Sequence, residues 1–417
     1  MKVKTLSLLV CCMFYIAAKA QLNQRFDNTN YKAIYFKEAC KLLANNQDLL
    51  LLDVRSPGEY KDSSQNIVYS IGRLKGSLNI SIDSVKTHFN DLKAYKGKTI
   101  LIYCSHSQRS RVVSKLLADS GFKNVYSLNG GMTQINRTSN ADFPCKSSLY
   151  ASNLPYKLIS ADDAVAFIRD KNNVIIDVRP ATQFNGTDSA GYSNIGRIKK
   201  AVNVPLSSID KEIADLSKYK ERPVLVYDLS GADAMQAAVK LSKAGFKNVN
   251  VLFEGFNGFL VNTLSSSKLR GELTTGTPAF KIIGVRETVD LVNQQPGVII
   301  ADLRPGKEFG NKADQSWHNL GHIKNAVNYT TADLVSYLKG KDKKTPILIY
   351  GGFSSAVKPT PGTPNLDLTD VCRQLVSEGY TNVYLLYNGL YSAVWESANV
   401  ENNTDATGIL VDHVGLY

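Results

Sequence analysis

Short apolar runs alternate with helical patterns along the first 130 residues of this chain. "DLLLLDV", "TILIY" and "NVYSL" have the length and the branched, apolar character of buried strands. After "TILIY" the period changes. In "VVSKLLADSG" the spacing predicts a helix with Val112, Val113, Leu116 and Leu117 on one face, closed by Gly121. Strands separated by helical crossovers predict an α/β fold, a parallel β-sheet flanked by helices on both faces. In such sheets ligands sit at the carboxyl ends of the strands.

The same pattern is written three times. "LLLLDVRSPGEY" at 49–60 returns as "NVIIDVRPATQF" at 173–184 and "GVIIADLRPGKEF" at 297–309. "IGRLKGSLNI" returns as "IGRIKKAVNV" and "LGHIKNAVNY", and "GFKNVYSLNGG" as "GFKNVNVLFEG" and "GYTNVYLLYNG". Asp53, Asp177 and Asp302 mark the period, 124 and then 125 residues apart. A unit of that size can bury its own core, so the repeat predicts three consecutive domains. They are placed at 21–137, 156–263 and 279–398. Ser/Thr/Gly/Pro-rich, aperiodic stretches at 138–155 and 264–278 read as linkers, and 399–417 as a C-terminal tail.

Composition adds a compartment. Residues 1–20 combine Lys2 and Lys4, an apolar run from Leu6 to Ala18, and the small-residue site Ala18-Lys19-Ala20. That is the pattern of a secretory signal peptide, which predicts export to the periplasm or beyond the cell. No internal stretch is long and apolar enough to span a bilayer. The net charge is +12, or +9 without Lys2, Lys4 and Lys19. The lysines are scattered, with no basic stripe carrying interleaved aromatics, which argues against nucleic-acid binding.

Four cysteines follow the signal: Cys40, Cys104, Cys145 and Cys372. They form no CxxC pair, so neither a metal site nor a disulfide framework is expected. Cys40 and Cys372 fall inside amphipathic helical patterns and read as core residues. Cys145 reads as an incidental linker thiol, with a resolving partner for Cys104 as the alternative.

Cys104 is different because four polar residues follow it. It closes a strand where "CSHSQR" leads into a helix, and such a loop turns several backbone N–H groups and the helix dipole onto one spot. A thiol there, beside Arg109, is favoured as thiolate: a cysteine that titrates near ~8.5 in isolation is commonly brought to about 3.5–7.5 by such surroundings. Ser105, Ser107, Gln108 and Ser110 can hydrogen-bond a bound anion. His106 can stabilise an anion, do acid–base work, or simply be an exposed loop residue. Asp53 and Arg55 have counterparts in both copies that lack the cysteine (Asp177, Arg179; Asp302, Arg304) and Glu59 has Glu308 in the third, so ion pairing or turn capping explains them.

On "DVRSPGEY", "GRLKGSLNI", the six-residue loop "CSHSQR" and "YSLNGGM", all three units resemble rhodanese domains, and the chain resembles a tandem rhodanese-family sulfurtransferase. The resemblance implies that Cys104 accepts a sulfane sulfur as a persulfide from a small anionic donor such as thiosulfate. It then passes the sulfur to a thiol, cyanide or a protein acceptor, with no metal or organic cofactor. Related cysteine phosphatases and arsenate reductases carry one more loop residue. Glycine is common in the family where Ser107 stands. In the second unit Asp228 and Asp233 replace Cys104 and Arg109, and in the third Gly351 replaces the cysteine before a Pro-rich insertion at 357–364. Two units without a nucleophile leave a second class open, a non-catalytic binding or scaffold protein. Either silent unit is expected to wall the Cys104 pocket.

Overall fold

The computed structural model describes residues 30–262, 267–352, 367–401 and 405–413. The signal-peptide segment and the insertion at 357–364 lie outside the described residues.

Each repeat builds one sheet of five parallel strands. In the first these are β1 (Lys32–Ile34), β2 (Leu50–Asp53), β3 (Leu78–Asn79), β4 (Thr99–Tyr103) and β5 (Asn124–Leu128). Their order across the sheet is β1-β5-β4-β2-β3, and the other two repeats follow the same scheme. The central strands β2 and β4 are buried almost throughout, which is why they read as apolar runs without alternation. Helices α1 (Phe36–Asn45), α2 (Gln108–Asp119) and α3 (Gly131–Arg137) complete the first domain.

The predicted helix after β4 is present as α2, but its buried face differs from the expected one. Ser110, Arg111, Val113, Ser114 and Leu117 are buried there, whereas Val112 is 56% exposed. At 3.6 residues per turn, positions 110, 113, 114 and 117 form one stripe, and 112 falls outside it.

Three features recur in every domain and hold the strand ends in place. Arg55, Arg179 and Arg304 each donate from Nη2 to Asp53, Asp177 and Asp302, at 2.7, 2.6 and 2.7 Å. The same Nη2 groups donate to the carbonyls of Gly72, Gly196 and Gly321. Tyr103, Tyr227 and Tyr350, fully buried at the ends of their strands, accept backbone N–H groups from Leu74, Ile198 and Ile323 at 3.1 Å each. Asp53 and Arg55 are structural, as their persistence in all three copies implied.

The described parts of the segments read as aperiodic linkers form regular elements, and they too repeat. Residues 145–149 and 267–273 form short helices, and each runs into a two-residue strand. Those strands pair antiparallel with Arg73–Leu74 and Arg197–Ile198; Leu410–Val411 does the same with His322–Ile323 in the third domain. Two-residue strands carry too little periodicity to be seen in sequence. The cysteine reading changes with them. Cys40, on α1, and Cys145, on the fold-back helix, form a disulfide with Cα atoms 6.2 Å apart, so neither is a free core or linker thiol. Their equivalents in the second repeat, Ala164 and Leu269, are apolar residues of one packed cluster.

Each domain touches both others. The later elements needed here are α4 (Ala161–Arg169), α5 (Ala232–Lys243), α6 (Gly255–Asn262), α7 (Val285–Gln294), α8 (Leu368–Ser377) and α9 (Gly389–Asn399). Arg137, ending α3, forms a bidentate pair with Glu254 of the second domain, 2.7 Å for both bonds. Asn257 on α6 accepts the Tyr387 hydroxyl of the third domain at 2.8 Å. Asn399, ending α9, returns to the first domain at Ser107 and Gly130. The three domains therefore close on one another as a ring.

Candidate active site

Cys104 follows directly on β4 at the carboxyl edge of the sheet and is 1% exposed. The turn after β5 presses against it from the other side. Met132 and Thr133 donate their backbone N–H groups to the Cys104 and Ser105 carbonyls, both at 3.0 Å. Gly131 permits this approach: it sits at φ +52°, and a Cβ there would stand 2.2 Å from the Cys104 carbonyl oxygen.

The loop residues divide by what their side chains touch. Cys104 Sγ lies 3.8 Å from the Ser110 hydroxyl, which donates to the Ser107 carbonyl and accepts from Ser127. Arg109 grips Glu59 through two 2.7 Å bonds and reaches Ser105 Oγ at 2.9 Å. These bonds to Glu59 raise the Arg109 guanidinium above its ordinary value, and the nearby Cys104 sulfur adds to the effect. Burial of Glu59 opposes its ionisation, but the bonds from Arg109 and the Ser56 amide outweigh it and hold the carboxyl below its usual range. His106 is exposed on its outer side and bonds through Nε2 to Thr133 Oγ1 at 3.0 Å. Desolvation of the ring, with Arg137 as second cause, pushes it down to about 4, so it is neutral near pH 7. Gln108 is exposed on the first turn of α2. The Ser107 hydroxyl points away from the sulfur, toward Asn399.

Two walls of the site come from other repeats. Trp395 of α9 meets His106 edge-on, with ring centroids 6.5 Å apart. Arg137, already paired with Glu254, lies 4.7 Å over the Trp395 ring. Asn399 is fully buried beneath the loop. Sequence reasoning gave no sign of Trp395 or Asn399, and it read Glu59 as an ion-pairing or capping residue without naming Arg109 as its partner. For Glu59 a signal existed, because the second repeat replaces it and Arg109 together, with Gln183 and Asp233. For the two α9 residues there was none, since their role depends on how the domains dock.

The second repeat shows what the loop does to the residue at its start. Asp228 stands where Cys104 does, and its carboxylate accepts the Gly231 and Asp233 amides. Those residues correspond to Ser107 and Arg109, 124 positions earlier. The cradle thus turns its amides onto the side chain at the strand end, and here a carboxylate fills it. Burial pushes that carboxyl up to about 6 against the pull of the amides. In the third repeat Gly351 is buried at the same place. Cys372 is fully buried in α8, and burial drives its thiol far above the usual range, as a core residue requires.

Three segments, residues 36–138, 160–262 and 285–395, match the model of the rhodanese-like domain. Among curated proteins, the uncharacterized protein YibN of Escherichia coli is 32% identical over 103 residues, 25% of this chain and 66% of YibN. The chain therefore spans about two thirds of that relative's length. The thiosulfate sulfurtransferase GlpE of Coxiella burnetii is 33% identical over 101 residues, 24% of this chain and 83% of GlpE. Among solved structures, a thiosulfate sulfurtransferase from Pseudomonas aeruginosa aligns with 85% of this chain and 66% of its own at 16% identity, with a TM-score of 0.23. At that score it carries no argument about how the domains are arranged.

Proposed function

The chain belongs to the rhodanese-like family, and on that premise we propose that it is an exported sulfurtransferase with one working site, at Cys104. The observation that carries this reading is the cradle itself: a lone thiol at the strand end, in a loop whose twin in the second repeat binds a carboxylate through two amides. An anionic sulfur species on Cys104 would meet the same amides.

The reaction has two displacements. The Cys104 thiolate attacks the donor's sulfane sulfur, a new S–S bond forms, and the donor's own bond to that sulfur breaks with its electron pair on the leaving group. The acceptor, a thiol, cyanide or a protein thiol, then attacks the outer sulfur of the persulfide and restores the Cys104 thiolate. Arg109, Ser105 and Ser110 line the approach. Gln108 and the Ser107 hydroxyl have little part in it, given where they point. With Arg109 paired to Glu59 and His106 neutral, the mouth holds little uncompensated positive charge. That favours donors presenting a singly charged persulfide over the thiosulfate dianion, with thiosulfate and polysulfide still substrate classes to test.

Export rests on the sequence of residues 1–20 and is supported by the Cys40–Cys145 disulfide, a bond at home in an oxidising compartment. Among the described residues no helix is long and apolar enough to cross a membrane. The filled cradle of the second repeat and Gly351 in the third favour a non-catalytic part for those two domains.

The test is thiocyanate formation from thiosulfate, 3-mercaptopyruvate and polysulfide with cyanide as acceptor. Wild-type protein should turn over at least one donor, and Cys104→Ser none. Turnover that survives in Cys104→Ser would remove the proposed nucleophile.

A further inference from the structure

Ser107 stands at φ +86° and ψ −36°, a region that L side chains seldom occupy. Its counterpart in the second repeat is Gly231, at φ +102° and ψ −18°. The loop therefore needs the same left-handed turn in both domains, and only one of them uses the residue that takes it freely. In the first domain something must hold the serine there.

What holds it comes from 292 positions away in sequence. The Ser107 hydroxyl donates to Asn399 Oδ1 at 2.5 Å and accepts the Gly130 amide at 2.6 Å. The Gly130 amide also reaches Asn399 Oδ1, at 3.2 Å. Arg111 donates to the same oxygen at 3.3 Å and to the Ala398 carbonyl at 3.4 Å, and it is fixed from below by Asn129 at 2.7 Å. Asn399 is held in turn by its own Nδ2, which donates to the Trp395 carbonyl at 2.8 Å. Every member of this network is buried. A buried acceptor with several donors converging on it tolerates little displacement.

We infer that Asn399, on the chemically silent third domain, is a positioning residue for the Cys104 loop, holding Ser107 in the left-handed turn that aims the loop amides at the sulfur. The inference rests on Cys104 being the working thiol, but it concerns the loop and not the cargo. It also gives the third domain a role, because the first repeat departs from glycine at the turn and the third repeat supplies the compensation. The second repeat, with Gly231, needs no such partner at this position.

The test is the rate at which iodoacetamide alkylates Cys104 in the full chain at fixed pH, read on the Cys104 peptide. This needs no sulfur donor, so it separates the positioning of the loop from the sulfurtransferase reading. Asn399→Ala should slow alkylation about tenfold, the factor that ~1.4 kcal/mol of lost organisation represents. Asn399→Asp, which keeps the acceptor and gives Arg111 a charged partner, should recover most of that loss. In an S107G background, where glycine takes the turn unaided, adding Asn399→Ala should change the rate less than about twofold. A general loosening of the interface would predict the same tenfold loss in both backgrounds, and that result would overturn the inference. So would an Asn399→Asp protein as slow as Asn399→Ala. If alkylation behaves as expected while no donor ever loads sulfur, the positioning stands and the sulfurtransferase reading falls.

Discussion

Asp228, at the position of Cys104, shows burial outweighing the pull of the loop amides in the second repeat. Its carboxyl titrates near 3.8 in an unfolded chain and is pushed up to about 6 in the fold. A folded value above the unfolded one means that the folded protein binds the proton more tightly. The resulting stability is fully present below about pH 3.8 and is lost as pH rises through about 6. Asp228→Asn should abolish this dependence, so that between about pH 4 and about pH 7 the variant gains about 2 kcal/mol relative to wild type. Urea denaturation at the two pH values measures it, and parallel curves would mean that the carboxylate is not the buried, amide-held group described. At this scale the sequence was informative where chemistry is local. Cys104 and Arg109 were legible because a polar loop between an apolar run and a helical pattern is what an anion-holding turn requires. Glu59 was set aside as structural, and it is in part, since it caps Ser56 as well as pairing with Arg109. One residue holding two jobs cannot be seen from spacing alone.

At the scale of elements, the repeated apolar runs marked all three sheets, because a parallel sheet covered on both faces leaves a strong signal. The fold-back segments did not show, since a two-residue strand has no period and its partner lies about 75 residues away. The disulfide escaped for the same reason: nothing in the spacing of Cys40 and Cys145 says that the chain returns. It closes a long loop, its ends separated by 105 positions in sequence, and should matter accordingly. Cys145→Ala is expected to cost about 2–5 kcal/mol. Wild-type protein under reductant should fall to a similar stability, while the second domain, with Ala164 and Leu269 in place of the two cysteines, is indifferent to reductant. Unchanged melting of the reduced protein would show that the bridge adds nothing to apolar packing already in place.

For the whole molecule, three domains of like design close on one another, and the Cys104 loop lies where the ring joins. Arg137 and Glu254 bind the first domain to the second beside Trp395 of the third, which meets His106 edge-on. The silent repeats were expected to wall the Cys104 pocket; the third sets Trp395 and Asn399 against the loop, and the second reaches it only through the Arg137–Glu254 pair, contacts that no periodicity or motif names. Docking is a property of complementary surfaces, and each surface looks ordinary until its partner is present. Glu254→Ala leaves Arg137 largely buried without its carboxylate and should cost about 1–3 kcal/mol. Hydrogen exchange should then quicken at the ends of α3 and α9 before the three sheets are affected. Uniform protection with no change in urea midpoint would argue that the ring is held elsewhere.

Whether Cys104 carries sulfur is decided by the intact mass of the full-length protein after exposure to a sulfane-sulfur donor and then to cyanide, beside Cys104→Ser. The wild type should gain one sulfur atom and lose it on adding cyanide, and the variant should gain none. A wild-type mass unchanged by thiosulfate, 3-mercaptopyruvate and polysulfide alike would contradict a persulfide at Cys104, and the chain would then be read as a rhodanese-fold binding protein.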